Sequence, residues 1–130
     1  MGPLVRALCD GVKGRDLRGF VIVPVPAHRG RRRHRGFDLA ELLAARVGRE
    51  LGLVVAQPLL RNDEGSQRGR GRDERSTIAC VLRHGAPQRV LLIDDVVTTG
   101  STIKACATTL RGGGAKYVGV MSLAITPRTR

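Results

Sequence analysis

The sequence predicts an α/β fold with a mostly parallel central sheet flanked by helices. Two observations point there first. Strand-length apolar runs stand at residues 20–25 (FVIVPV), 89–94 (RVLLID) and 117–125 (YVGVMSLAI), and a helical stripe follows each of the first two. Strands that are apolar throughout are buried on both faces, as parallel strands are, and their alternation with helices is what parallel connections require. The length of 130 residues fits one domain covering 1–130, with a core of its own.

Taken in order, residues 1–19 form a charged, Gly-containing lead-in, and 20–25 is the first strand, closed by Pro24 and Pro26. HRGRRRHRG at 28–36 is too charged and too Gly-rich to pack, so it is read as a loop at the strand's C-terminal edge, where α/β folds bind ligands. From Phe37 onward, Ala40, Leu43, Ala44, Val47 and Leu51 recur at helical spacing. Asp38 with Glu41 suits the helix start, and Gly52 its end. Residues 54–60 are a weaker strand candidate interrupted by Pro58, and 61–76 (RNDEGSQRGRGRDERS) read as a flexible loop. Residues 77–82 are expected to return as a strand, antiparallel to its neighbour. After 89–94 comes a helix over 101–110 with Ile103, Ala107 and Leu110 inward, ended by Gly112, Gly113 and Gly114.

Composition narrows the function classes. Apolar residues make up 42% of the chain, and no apolar run approaches the length of a membrane span. The N-terminal residues lack the unbroken apolar stretch of a secretory signal, which makes the cytoplasm the expected compartment. Cys9, Cys80 and Cys106 are odd in number, far apart and without a C-x-x-C pair, so they are read as reduced, ordinary thiols. With His28, His34 and His84 they do not reach zinc-ligand spacing, and no metal is expected to be held by the protein directly. The formal net charge of +12 points to an anionic partner, although arginines that only solvate the surface would also produce it.

The most specific feature is VLLIDDVVTTGST at residues 90–102: a buried strand, two adjacent acids, then a turn of small residues opening a helix. Such a turn lets backbone approach a phosphate closely, and its N–H groups with the helix N-terminus form an anion cradle. Thr98, Thr99, Ser101 and Thr102 add hydroxyl donors. Asp94 and Asp95 would repel that phosphate if they faced it, so they are assigned to accepting hydrogen bonds from neighbouring hydroxyls. A ribose bearing a 5-phosphate offers both groups. No G-x-x-x-x-G-K-[ST] occurs, and no G-x-G-x-x-G follows a strand. A response-regulator-like acidic pocket would share the strand and the acids but not need the TTGST turn. The plain alternative is a strand end beside a helix cap, with no ligand.

This segment resembles the phosphoribosyl-pyrophosphate signature of type I phosphoribosyltransferases. The resemblance extends to their ComF-like branch through PVPAHRGRRRHRGFDLAELLA at 24–44, QRGRGRDER at 67–75 and ACATTLRGGGAKYVGVMSLAITP after the signature. Asp38, Leu39, Arg70 and Ile78 depart from that branch's usual Asn, Gln, Leu and Asn. The four-cysteine zinc module that often precedes the domain is not present in these residues.

The resemblance implies a type I phosphoribosyltransferase fold and a role in nucleotide metabolism: transfer of ribose 5-phosphate from phosphoribosyl pyrophosphate to an unidentified acceptor, with Mg²⁺ bound through the donor. It places Asp94 and Asp95 on the ribose hydroxyls, aiding the metal at most indirectly. Val97, Thr98, Thr99, Gly100, Ser101 and Thr102 fall on the 5-phosphate. Arg31 and Arg35 fall on the pyrophosphate, with Arg68, Arg72 and Arg75 reaching it from the 61–76 loop. The place of a third acid, a base in some relatives, holds Thr98; His28 and His34 are the alternatives. Acceptor recognition is expected from a partial hood at 1–19, including Lys13, and from the C-terminal tail. Relatives are often homodimers. The competing function is a non-catalytic accessory role in DNA uptake and competence. With only Phe20, Phe37 and Tyr117 as aromatics, nucleic-acid binding would be mostly electrostatic.

Overall fold

The structure is a computed structural model that describes residues 2–26, 38–62, 79–97 and 100–125. In chain order its elements are α1 (Pro3–Asp10), β1 (Val21–Pro24), α2 (Leu39–Leu51), β2 (Val54–Val55), β3 (Leu59–Asn62), β4 (Ala79–Leu82), β5 (Arg89–Val97), α3 (Ser101–Gly112) and β6 (Tyr117–Ile125). Four strands form a wholly parallel sheet in the order β2-β1-β5-β6, while β3 and β4 pair antiparallel in a sheet of their own. The expected α/β architecture is present.

Two of the apolar runs, β1 and β5, occupy the centre of the sheet with both faces covered, and the third, β6, is its edge strand. Along β5, Val90 and Leu92 face one way, Leu91 and Ile93 the other, as the two-residue period of a strand requires. Leu91 and Ile93 join Ile22 and Met121 under Val5 and Leu8 of α1 and Leu43, Ala44 and Val47 of α2. Val90 and Leu92 join Val23 and Val25 under Cys106 and Leu110 of α3 and Leu59 and Cys80 of the hairpin. Ile22, Leu92, Ile93 and Leu110 are fully buried, each contributing about 1.5–3 kcal/mol relative to exposure.

Helix α2 starts where expected: the Asp38 carboxylate accepts from the N–H groups of Ala40 and Glu41 at 3.0 and 3.3 Å. It stops at Gly52, whose φ of 70° is a left-handed conformation glycine adopts without a Cβ penalty.

Four expectations are corrected. Residues 54–60 are not one strand. β2 ends after pairing with β1, Ala56 N–H makes a last bond to the Ile22 carbonyl at 2.9 Å, and the buried Pro58, which has no N–H to offer a ladder, stands where the chain crosses to the second sheet. Arg61 and Asn62, read as loop, belong to β3, and 63–76 lie outside the described residues. β5 does not stop at Asp94 but pairs with β6 as far as Val97↔Ile125. In α3 the fully buried partners of Leu110 are not Ala107, which is half-buried, but Cys106, because 103, 106 and 110 form the stripe that meets the sheet. Helix α1 was not anticipated at all; its Val5 and Leu8 pack into the core beside α2.

Candidate functional site

The C-terminal ends of the parallel strands meet at one edge of the sheet. β1 leaves it through Pro24, Val25 and Pro26, with Val25 N–H bonded to the Ile93 carbonyl at 2.9 Å. β5 carries Asp94 and Asp95 past that point as consecutive strand residues, which project to opposite faces. Asp95 is only 5% exposed, and Asp94 is half-buried. The Asp94 carboxylate accepts from the Asp95 N–H at 2.9 Å, which folds it back against the strand.

The neighbouring strand secures this end. Ser122 of β6 donates its hydroxyl to the Asp95 carbonyl at 3.3 Å. Ser122 had not been singled out from the sequence; its signal was a single serine between Met121 and Leu123 in a largely apolar strand. Beyond Val97, Gly100 takes φ 84° and ψ 0° at the start of α3, and its carbonyl accepts from Lys104 N–H at 2.8 Å. Gly100 at the N-cap has no side chain to close this helix start and the first turn holds no acidic residue, so the positive end of the helix dipole lies at Gly100. Ser101 is exposed and Thr102 half-buried in the opening turn. An open groove of about 1020 Å³ runs along β6 from Ala7 and Leu8 of α1, past Met121, to Val97 and Gly100.

The structure thus brings Asp94, Asp95, Val97, Gly100, Ser101 and Thr102 into a single strand-turn-helix passage. Thr98, Thr99, Arg31, Arg35, Arg68, Arg72 and Arg75, with His28 and His34, lie outside the described residues. Lys13 is exposed in the turn after α1. Among the described residues no group of three or more His, Cys, Asp or Glu side chains could hold a metal ion.

Comparison with known proteins decides the family. A family model described as "Phosphoribosyl transferase domain" matches residues 33–130. The chain belongs to that family. Among curated relatives of this phosphoribosyltransferase domain, Competence protein F of Haemophilus influenzae is 31% identical over 112 residues, covering 79% of the chain and 49% of that protein. Adenine phosphoribosyltransferase of a Parafrankia species is 36% identical over 134 residues, covering 94% of the chain and 62% of that protein. The chain therefore spans about half to three-fifths of these relatives' length. Its likeness to competence proteins makes it a ComF-like member of the type I phosphoribosyltransferases. The purine phosphoribosyltransferase of Pyrococcus horikoshii superposes with a TM-score of 0.59 at 20% identity, over 97% of this phosphoribosyltransferase domain and 74% of that chain, which establishes the shared fold.

Proposed function

We propose that this ComF-like domain binds phosphoribosyl pyrophosphate at the C-terminal edge of its parallel sheet and transfers ribose 5-phosphate to an acceptor, releasing pyrophosphate. The supporting observation is the unbroken passage from β5 through Asp94 and Asp95 to Val97, then from the left-handed Gly100 into α3. Two carboxylates and a helix N-terminus thus stand a few residues apart, and a sugar phosphate complements both.

Each residue has a distinct task in this reading. The 5-phosphate sits in the turn of Val97, Thr98, Thr99, Gly100, Ser101 and Thr102, on backbone N–H groups, hydroxyls and the helix dipole. Asp94 and Asp95 accept from the ribose hydroxyls and hold the anomeric carbon in line for attack. The acceptor's lone pair forms the new bond to that carbon as the carbon–oxygen bond to pyrophosphate breaks, and the bonding pair leaves with pyrophosphate. Arg31, Arg35, Arg68, Arg72 and Arg75 neutralise the departing anion, so catalysis rests on positioning and electrostatics.

The acidic pair also fits the donor's magnesium. Mg²⁺ takes few protein carboxylates and draws its other ligands from substrate phosphates and water, a role that two adjacent acids suit. When bound, it offsets pyrophosphate charge; Asp94 and Asp95 are the residues that would face it.

Calorimetric titration of phosphoribosyl pyrophosphate with Mg²⁺ into wild type and the Asp94→Asn/Asp95→Asn variant tests the proposal. Two hydrogen bonds to charged acceptors, at about 1.5–3 kcal/mol each, predict affinity at least ~100-fold weaker in the variant. No binding by folded wild type overturns the donor site.

The likeness to Competence protein F favours a second reading, an accessory role in DNA uptake. The net charge of +12 suits it as well.

A further inference from the structure

Cys80 on β4 and Cys106 on α3 stand 26 positions apart in sequence, yet their Sγ atoms lie 3.1 Å from each other. Both thiols are buried, Cys106 completely and Cys80 with 9% exposure. Their elements are joined by a second contact that does not involve sulfur: the Thr109 hydroxyl donates to the Cys80 carbonyl at 3.0 Å. Thr109 follows Cys106 by three residues, on the same side of the helix. This contact fixes β4 against α3 beside the two thiols, and closing the sulfurs to a bond of about 2.0 Å requires a movement of about 1 Å.

We propose that Cys80 and Cys106 form a dithiol redox site that a low-molecular-weight disulfide converts to an intramolecular disulfide, tying the root of the β3–β4 hairpin to α3. The Cys80 thiolate, nearer the surface, attacks one sulfur of the small disulfide and releases one small thiol. The Cys106 thiolate then attacks the Cys80 sulfur of the mixed disulfide and releases the second. Two protein thiols and one small disulfide become one protein disulfide and two small thiols, which carry away both protons.

Burial slows the first step, because the small disulfide must reach a sulfur that is almost wholly covered. The hairpin supplies the route: among the described residues its strands pair with each other and not with the main sheet, so β4 can open locally without breaking the parallel sheet. Cys9 does not compete. It packs against the opposite core cluster, where burial first, then the carboxylates of Glu50 and Asp10, push its thiol up from the ordinary value.

The test is to incubate the whole chain with oxidised glutathione at mildly alkaline pH, alkylate remaining thiols, digest and map by mass spectrometry. The expected product is a Cys80–Cys106 linked peptide pair lighter by two hydrogens, with Cys9 alkylated. Tm of the oxidised protein should rise by roughly 10 °C and return on reduction. In Cys106→Ala the reaction should halt at a mixed disulfide on Cys80. Full alkylation of all three thiols in folded wild type, or linkage through Cys9, overturns the proposal whether or not the variant folds.

Discussion

Asp38 shows how much one side chain fixes at the start of a helix. Its carboxylate closes the N-terminus of α2 by accepting from two backbone N–H groups, and only 8% of the residue is exposed. Asp38→Ala removes the acceptor and should cost about 1 kcal/mol, whereas Asp38→Ser should recover most of it. Urea denaturation reads the difference, and an unchanged midpoint in the Ala variant would show that the cap carries no stability. The ion pair of Asp16 and Arg18, 2.9 Å apart, is a contrast. Hydrogen bonds from Arg18 hold the Asp16 carboxyl below its ordinary range. Its stabilisation is therefore present above that range and lost as pH falls through the lowered value, but solvent screening leaves it small. At this scale the sequence was legible where the signal is local. Asp38 followed by an apolar stripe announces a cap. Ser122 on the Asp95 carbonyl and Cys80 against Cys106 depend on strands and helices meeting across the fold, which no local pattern encodes.

At the scale of elements, Gly48 reports how tightly α2 sits on the sheet. A Cβ there would lie 2.5 Å from Val55 Cγ2 and 3.1 Å from the Leu53 carbonyl oxygen, and the carbonyl cannot rotate aside. Gly48→Ala gains about 1 kcal/mol of helix propensity and loses about 1–3 kcal/mol to overpacking, so it should destabilise. Gly112→Ala, in α3 with nothing within 4 Å of its Cβ, should be neutral or stabilising. Thermal unfolding of the pair checks the signs, and a stabilised Gly48→Ala would mean that β2 yields to the helix. The three apolar strands and both long helices could be read from the sequence because an unbroken apolar run and a 3.6-residue stripe leave strong patterns. The 54–60 stretch could not: whether Val54–Val55 and Leu59–Asn62 join one sheet or two is decided by tertiary pairing around Pro58. Helix α1 escaped because eight residues bracketed by glycines, with Arg6 and Asp10 among them, carry too short a stripe.

For the whole molecule the open question is which anion the excess charge serves, since 23 Lys and Arg against 11 Asp and Glu suit phosphoribosyl pyrophosphate and nucleic acid alike. The aromatic residues help to separate them. Phe20 and Tyr117 flank Arg89, whose guanidinium carbon lies 5.9 and 5.2 Å from their ring centroids. Arg89 and Tyr117 open β5 and β6, so this cluster sits at the end of the sheet opposite Asp94 and Asp95. It stabilises that end, and among the described residues neither ring gives bases a stacking platform beside the candidate site. Single-stranded DNA would then be held almost wholly through its phosphates, with log affinity falling by about 0.7 per phosphate contacted for each tenfold rise in salt. Fluorescence anisotropy with a short oligonucleotide should show at least a tenfold loss between roughly 50 and 200 mM salt, the range over which counterion release dominates. Excess phosphoribosyl pyrophosphate with Mg²⁺ should displace the oligonucleotide if both use arginines at the same edge. Tight binding that ignores salt would require a base-reading surface, and would move the function away from the phosphate turn of β5 and α3.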